Sequence, residues 1–146
     1  MDELIEKMKV CLASVFALYL KAHYFHWNVE CPNFPQYHKF LEDLYEDLHD
    51  SVDRHAEEIR TSDGYAPGSF IRFSELSIIK DEVNIPQPMT MMTKLMEDNL
   101  KVIVLMKETQ ALAEKNNSVG YSNFLQDRID IHYKHHWMLR SITKAV

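Results

Sequence analysis

Six side chains of metal-ligand type fall in one line when residues 35–60 are wound as a helix: His38, Glu42, Glu46, His49, Asp53 and Glu57. Neutral imidazole and carboxylate together suit Fe(II), Zn(II) or Mn(II). A step of four residues turns a helix by about 400°, so His38 and Glu42 share a face, as do Asp53 and Glu57. From Glu42 to Asp53 is about three full turns plus ~20°, so both pairs point the same way, yet they stand ~16 Å apart along the axis. One ion cannot take both pairs from one copy of the helix. Two copies packed antiparallel about a two-fold axis bring His38 and Glu42 of one chain opposite Asp53 and Glu57 of the other, which predicts a metal site built across a symmetric dimer interface.

The elements that must position these residues are helices. Leu4, Met8, Cys11, Val15, Leu18 and Ala22 step by three and four, predicting a first helix over Asp2–Trp27 with Asp2 as its cap. The segment from Asn28 to Pro35, with Pro32 and Pro35, breaks it. The second helix spans Pro35–Arg60, with Leu41, Leu44, Leu48, Val52, Ala56 and Ile59 as its core stripe. The ligand line lies about 100° to one side of that stripe, so the helix has two working faces. Ser62–Ser69 is a clear break, and the connection up to Pro88 is long for a compact bundle; Phe70, Phe73, Leu76 and Ile79 are spaced like a short helix within it. Such a connection lets the second and third long helices run parallel. The third starts near Thr90 and carries Met92, Leu95, Met96, Ile103, Met106 and Ala113, and Asn116–Gly120 closes it. The fourth runs from about Tyr121 through Phe124, Arg128, Ile131, His135, Leu139 and Ile142. The fold class is all-α: an up-and-down four-helix bundle with a short helix in its one long crossover.

Other ligand-type residues carry blander readings. His26 ends the first helix on its core stripe, where a lone His is more often a satisfied core residue than a ligand; a carboxylate-rich face within reach adds to the ligand reading. His38–Glu42 and Asp53–Glu57 also fit a solvated helix face. Buried carboxylates at a dimer interface need something to offset them, and a metal would do so. Glu46-Asp47-Leu48-His49 is a Glu-x-x-His unit of the kind that builds di-iron sites inside one bundle, but no second unit exists, so Glu46 and His49 read as surface or interface residues. His55 points away from the ligand pair. His132, His135 and His136 read as a helix–helix contact beside Trp137 more readily than as a metal site. The eight Met are scattered over core positions and look like adaptable packing.

Bulk properties bound the rest. The 146 residues suit one domain, 1–146, with a sizeable core, and a 46% hydrophobic content argues against disorder. A net charge of −6 disfavours a nucleic-acid binder acting through a basic surface and is compatible with binding cations. Cys11 and Cys31 are too few for a disulfide framework, no secretion signal is evident and no apolar run spans a bilayer, so a reducing, cytoplasmic setting without membrane contact is expected.

The stretch His26-Trp27-Asn28-Val29, Pro32-x-Phe34, His38-x-x-x-Glu42-x-Leu44-Tyr45, Asp53-x-x-Ala56-Glu57 and Ala66-Pro67-Gly68-Ser69, with Lys134–Leu139, resembles the Dps family over nearly the whole chain. These are the small dodecameric ferritins of starved or oxidatively stressed bacteria. The resemblance implies a ferritin-like fold and a ferroxidase. It implies a di-iron site shared across a two-fold axis, with His26, His38 and Glu42 from one subunit and Asp53 and Glu57 from its partner. Zn or Mn could occupy the same ligands. The implied reaction is oxidation of Fe(II) by hydrogen peroxide, in preference to O2, with ferric oxide stored in the hollow shell. Trp27, next to the ligand His, is placed to intercept one-electron oxidants.

Three departures accompany the resemblance. The Glu42 slot more often holds Asp in relatives. Asn123 stands where an Asp usually lines the route by which iron gains access, with Asp127 one turn on. Many relatives carry a lysine-rich tail that binds DNA; here the first helix begins at once and the chain stops at Thr143-Lys144-Ala145-Val146. Twelve copies would carry roughly −70, so no strong direct DNA binding is expected. Two alternatives remain at this point: a DNA-compacting protein with secondary metal chemistry, and a helical interaction module without any.

Overall fold

Apolar residues recurring at three and four positions wind most of the chain into long helices, and their relative directions follow from which side chains meet. The computed structural model describes residues 1–144, and among them the elements are α1 (Asp2–Asn28), α2 (Phe34–Thr61), α3 (Phe70–Leu76), α4 (Pro88–Lys115) and α5 (Val119–Thr143), with no strand. The carboxy-terminal stretch read as lacking a basic tail includes Ala145 and Val146, which lie outside the described residues.

The short loop between α1 and α2 makes them antiparallel neighbours: the His26 ring stacks on His38 near the loop and Tyr19 meets His49 further along. α4 and α5 are antiparallel too, with Asn99 beside His132 and Gln110 beside Ser122. Lys7 pairs with Glu108 and Lys21 with Asp98, so α1 and α4 run in opposite directions. It follows that α2 and α4 are parallel, as a long crossover requires. The crossover lies along α1. Phe73 of α3 packs on Phe16 with ring centroids 4.9 Å apart, the Ile78 N–H donates to Ser14 Oγ (3.1 Å), and the Tyr24 hydroxyl donates to the Asn84 carbonyl (2.6 Å).

The core sits where the four long helices face one another. α1 contributes Leu4, Met8, Leu12 and Phe25, α2 Leu41 and Leu48, α4 Met92 and Leu95, and α5 Tyr121 and Leu125, all buried. Burying one such side chain contributes about 1.5–3 kcal/mol. α2 and α4 end in the same way. Asp63 (φ 68°) and Asn117 (φ 57°) take the left-handed conformation one residue past the cap. The next N–H, of Gly64 or Ser118, donates back to the carbonyl of Ile59 (3.0 Å) or Ala113 (2.8 Å). Asp and Asn tolerate this conformation better than most residues other than Gly.

Several expected boundaries and faces move. Asp2 is not a cap; it is the first residue of α1 and its side chain caps nothing. α4 begins at Pro88, two residues before Thr90, because proline's fixed φ suits a first turn. Val119 and Gly120 belong to α5 rather than to the preceding turn. Ile79 is buried but lies beyond the end of α3. On α5 the buried positions are Tyr121, Ser122, Leu125, Arg128, His132 and Leu139, while Phe124, Ile131, His135 and Ile142 flank them, half-buried. On α2, Val52 and Ala56 are likewise half-buried.

Candidate metal centre

His26 and His38 hold each other across the α1–α2 turn. The Nδ1–H of His26 donates to the backbone carbonyl of His38 (2.7 Å), and the Nδ1–H of His38 donates to the carbonyl of His26 (2.9 Å). The rings stack at 3.7 Å with 15° between their planes; Phe34 stacks on the far side of His38, and Tyr45 meets His26 edge-on. A carbonyl can only accept, so each Nδ1 is assigned a proton, and the neutral ring then carries its lone pair on Nε2. That is the tautomer and the backbone support a metal-ligating histidine requires. His26 is 7% exposed, buried as the core reading expects, but its Nδ1 meets the His38 carbonyl and not the apolar core.

Glu42, one turn beyond His38, accepts from Lys39 Nζ (3.0 Å), which also pairs with Asp43 at 3.0 Å. These two carboxylates, Asp43 more than Glu42, raise the lysine's pKa, so it stays protonated. Lys39 is exposed and flexible, and a stronger cation can displace it from Glu42. Asp53 and Glu57, also exposed, form the second pair. The hydrogen bond and charge of Asp53 raise the pKa of Glu57, because two adjacent carboxylates favour one proton between them. Among the described residues of one chain, no three His, Cys, Asp or Glu side chains converge on a point where an ion could sit. His38 and Glu42 stand one turn apart at one end of the outer face of α2, with His26 of α1 stacked on His38; Asp53 and Glu57 stand three turns away on that face.

Glu46 and His49 lie between the two groups, exposed, as expected of surface or interface residues. Aromatic rings line the adjacent strip of α1. The Tyr19 hydroxyl and His23 Nδ1 are 2.9 Å apart, His23 stacks on Tyr45 (3.7 Å, 8°), and the Trp27 ring lies 4.2 Å from His23. Burial, followed by the nearby His26 and His49, lowers the pKa of His23. Trp27 is 58% exposed, so it stands beside the imidazole cluster and open to the outside.

The bundle interior behind this face holds a different set of polar groups. Arg128 makes a two-pronged pair with Asp47, both contacts at 2.9 Å, and His135 Nε2 lies 2.6 Å from Asp47 Oδ2. Burial alone would raise the Asp47 carboxyl, but hydrogen bonds from His135 and Arg128 and their charges hold it well below the usual carboxylate range. His132 Nδ1 donates to Asn99 Oδ1 (2.7 Å), and the Asn99 amide donates to the His132 carbonyl (2.9 Å). Burial, then the Arg128 charge, pushes His132 well below its ordinary pKa. His55, fully buried, has no hydrogen-bond partner for either nitrogen; burial and then Arg128 and Arg54 lower its pKa to about 3.

This network was missed in the sequence because Asp47 sits between an exposed Glu46 and a core Leu48 and resembles neither. The available signal was Arg128 on a core stripe, which demands a buried acid nearby. His132 and His135 of α5 do form a helix–helix contact, but it centres on Asp47 and Asn99, while Trp137 is exposed. A guanidinium inside the bundle disfavours a second cation there, which leaves the outer face of α2 as the place for one.

The comparisons agree with this architecture. The family model for the ferritin-like domain, Ferritin, matches residues 5–146. A low temperature-induced protein of Nostoc is 30% identical over 92% of this chain and 76% of its own length. DNA protection during starvation protein 2 of Bacillus anthracis is 27% identical over 95% of each chain. The crystal structure of the Dps protein of Vibrio cholerae, described as a member of a broad superfamily of ferritin-like diiron-carboxylate proteins, superposes with a TM-score of 0.94 at 24% identity, covering 98% of this chain and 90% of that one. In sequence, helix order and crossover, the chain belongs to the Dps family of ferritin-like proteins.

Proposed function

We propose that this protein oxidises ferrous iron at two equivalent sites on a two-fold dimer interface and stores the ferric product inside a closed dodecameric shell, limiting oxidative damage. The observation that carries the reading is the reciprocal His26–His38 clasp. It fixes the Nδ1 side of both rings to the backbone and leaves both Nε2 atoms available, one helical turn from Glu42 on a face that also bears the Asp53–Glu57 carboxylate pair three turns away. In an antiparallel pairing of two α2 helices, His26, His38 and Glu42 meet the partner's Asp53 and the partner's Glu57. The donor set is two nitrogens and three carboxylates, which fits Fe(II) and also accommodates Zn(II) or Mn(II). The family's diiron-carboxylate character supports iron as the substrate.

In this reading the residues bind and position the metal. The backbone carbonyls lock both imidazoles, so no tautomer change precedes binding. Iron displaces Lys39 from Glu42 and offsets the repulsion between the adjacent carboxylates Asp53 and Glu57. Two Fe(II) ions held together supply two electrons at once. Hydrogen peroxide, the preferred oxidant, takes both with two protons and leaves as two waters, so no hydroxyl radical is released. Trp27, beside the cluster, removes an oxidant that arrives when only one iron is bound. Asn123 and Asp127, both exposed on α5, are candidates to line the route by which iron gains access. No helix of the described residues is long and apolar enough to cross a membrane, and we place the protein in the reducing cytoplasm, where Fe(II) is available.

The test is to load the protein anaerobically with Fe(II), add peroxide, and follow ferric absorbance and elution size. Fast oxidation with iron co-eluting with a large shell is expected, and His38→Ala should reduce the rate to that of buffer. Iron that precipitates apart from the protein would leave the face as a plain interaction surface.

A further inference from the structure

Glu46 and His49 have no role in that reaction, yet they stand at the centre of the face that carries it. The inference here rests on the antiparallel pairing of α2 proposed above and takes it one step further. The register that sets His38 opposite the partner's Glu57 and Glu42 opposite the partner's Asp53 has its midpoint between Asp47 and Leu48. The same register sets Glu46 opposite the partner's His49, and His49 opposite the partner's Glu46. Three residues apart, the two side chains diverge by only about 60° around the helix and flank the middle of the ligand line. Helices that pack do so at about 8–10 Å between axes, within reach of long side chains from both.

Three observations and one consequence of the proposed pairing suit these residues to a metal. Both are exposed in the single chain and, among the described residues, neither makes a hydrogen bond or an ion pair. Tyr19 packs against the His49 ring at 4.8 Å and restricts its orientation. The nearest basic residues are already committed, Lys39 to Glu42 and Asp43, and Arg54 to Glu58 at 2.7 Å. Closing the face also brings the carboxylates of two α2 helices together, and a divalent cation bound by two carboxylates and two neutral imidazoles leaves the centre uncharged. We propose that Glu46 and His49 of two chains form a four-ligand site for one divalent cation on the two-fold axis, between the two oxidation sites. A closed set of two imidazoles and two carboxylates suits tetrahedral Zn(II), and such an ion would fix the dimer and not react.

Two measurements decide it. In the His38→Ala/Asp53→Ala double variant, whose oxidation sites are lost, Co(II) titration should still saturate at one ion per two chains with the intense visible bands of tetrahedral Co(II). Adding Glu46→Gln and His49→Ala should abolish them. No such ion in the double variant, or one that survives the added changes, overturns the proposal. Crystals of the wild-type protein soaked in Zn(II) give the same decision without any variant. Anomalous density on the two-fold axis between Glu46 and His49 is expected. Density at the His38 sites but none on the axis, with direct His–Glu ion pairs in its place, overturns this site and leaves the oxidation reading standing. A dimer in which the α2 faces do not meet overturns both.

Discussion

The chemistry of His26 and His38 depends on which nitrogen carries the proton, and backbone geometry decides that. Each ring donates Nδ1–H to the other residue's carbonyl, so the spacing His26 to His38 is set by a loop that returns the chain antiparallel at the right height. Nitrogen NMR of the apo-protein should therefore show the Nδ1–H tautomer for both imidazoles; resonances typical of the Nε2–H tautomer would contradict the assignment. Five candidate ligands were legible in the sequence because helical periodicity alone puts His38, Glu42, Asp53 and Glu57 on one face, and family likeness adds His26. The clasp was not legible. Its acceptors are main-chain carbonyls, which no residue type announces, and its donors lie on two helices whose contact depends on the intervening loop.

Helix pairing inside the bundle depends on a few polar and tightly packed positions. Arg128 is buried and pairs with Asp47 across α5 and α2. Asp47→Ala should destabilise the fold by about 3–5 kcal/mol, since it leaves a buried guanidinium unpaired; chemical denaturation measures this, and a change below about 1 kcal/mol would contradict the role. Acid acts on the same network. The pKa values of both Asp47 and His132 are lowered in the fold. Each binds its proton more readily in the unfolded chain, so stability rises with pH across their titration. Stability should be full above about pH 7 and decline below it as unfolded His132 and His55 take protons, then fall further below about pH 4 as unfolded Asp47 does. His55→Gln together with His132→Gln should flatten the upper part of that decline, and Asp47→Ala the lower part. Packing gives a separate test at Gly64, where a Cβ would lie 2.7 Å from Ile5 Cγ2 and 3.1 Å from Ile59 Cγ2. Gly64→Ala should cost about 1–3 kcal/mol, and a neutral melting shift would show that α1 yields there. The four long helices and the crossover helix were legible because their apolar period is clear. The inward face of α5 was shifted, since a stripe that includes Arg128 and His132 is placed by its polar partners Asp47 and Asn99 and not by hydrophobicity.

On the scale of the assembly, charge and symmetry decide function. Each chain carries −6, and twelve would carry roughly −70, a potential that repels a polyanion. DNA should migrate unretarded with the protein at physiological salt, and a shift that weakens steeply with added salt would instead favour a DNA-compacting role. The proposed assembly was only indirectly legible in the sequence: one helix carries two ligand-type pairs too far apart for one ion, which points to a second copy but not to how many follow. The central claim, that each oxidation site is shared between chains, has a direct test in mixed subunits. His38→Ala and Asp53→Ala lesions fall on opposite halves of the site, so each pure variant should be inactive in peroxide-driven Fe(II) oxidation. Co-refolding the two in equal amounts makes heterodimers in which one site carries both lesions and the other none. The mixture should recover about a quarter of the wild-type rate. A mixture as inactive as its parents, although mass measurement shows mixed dimers, would contradict the shared site.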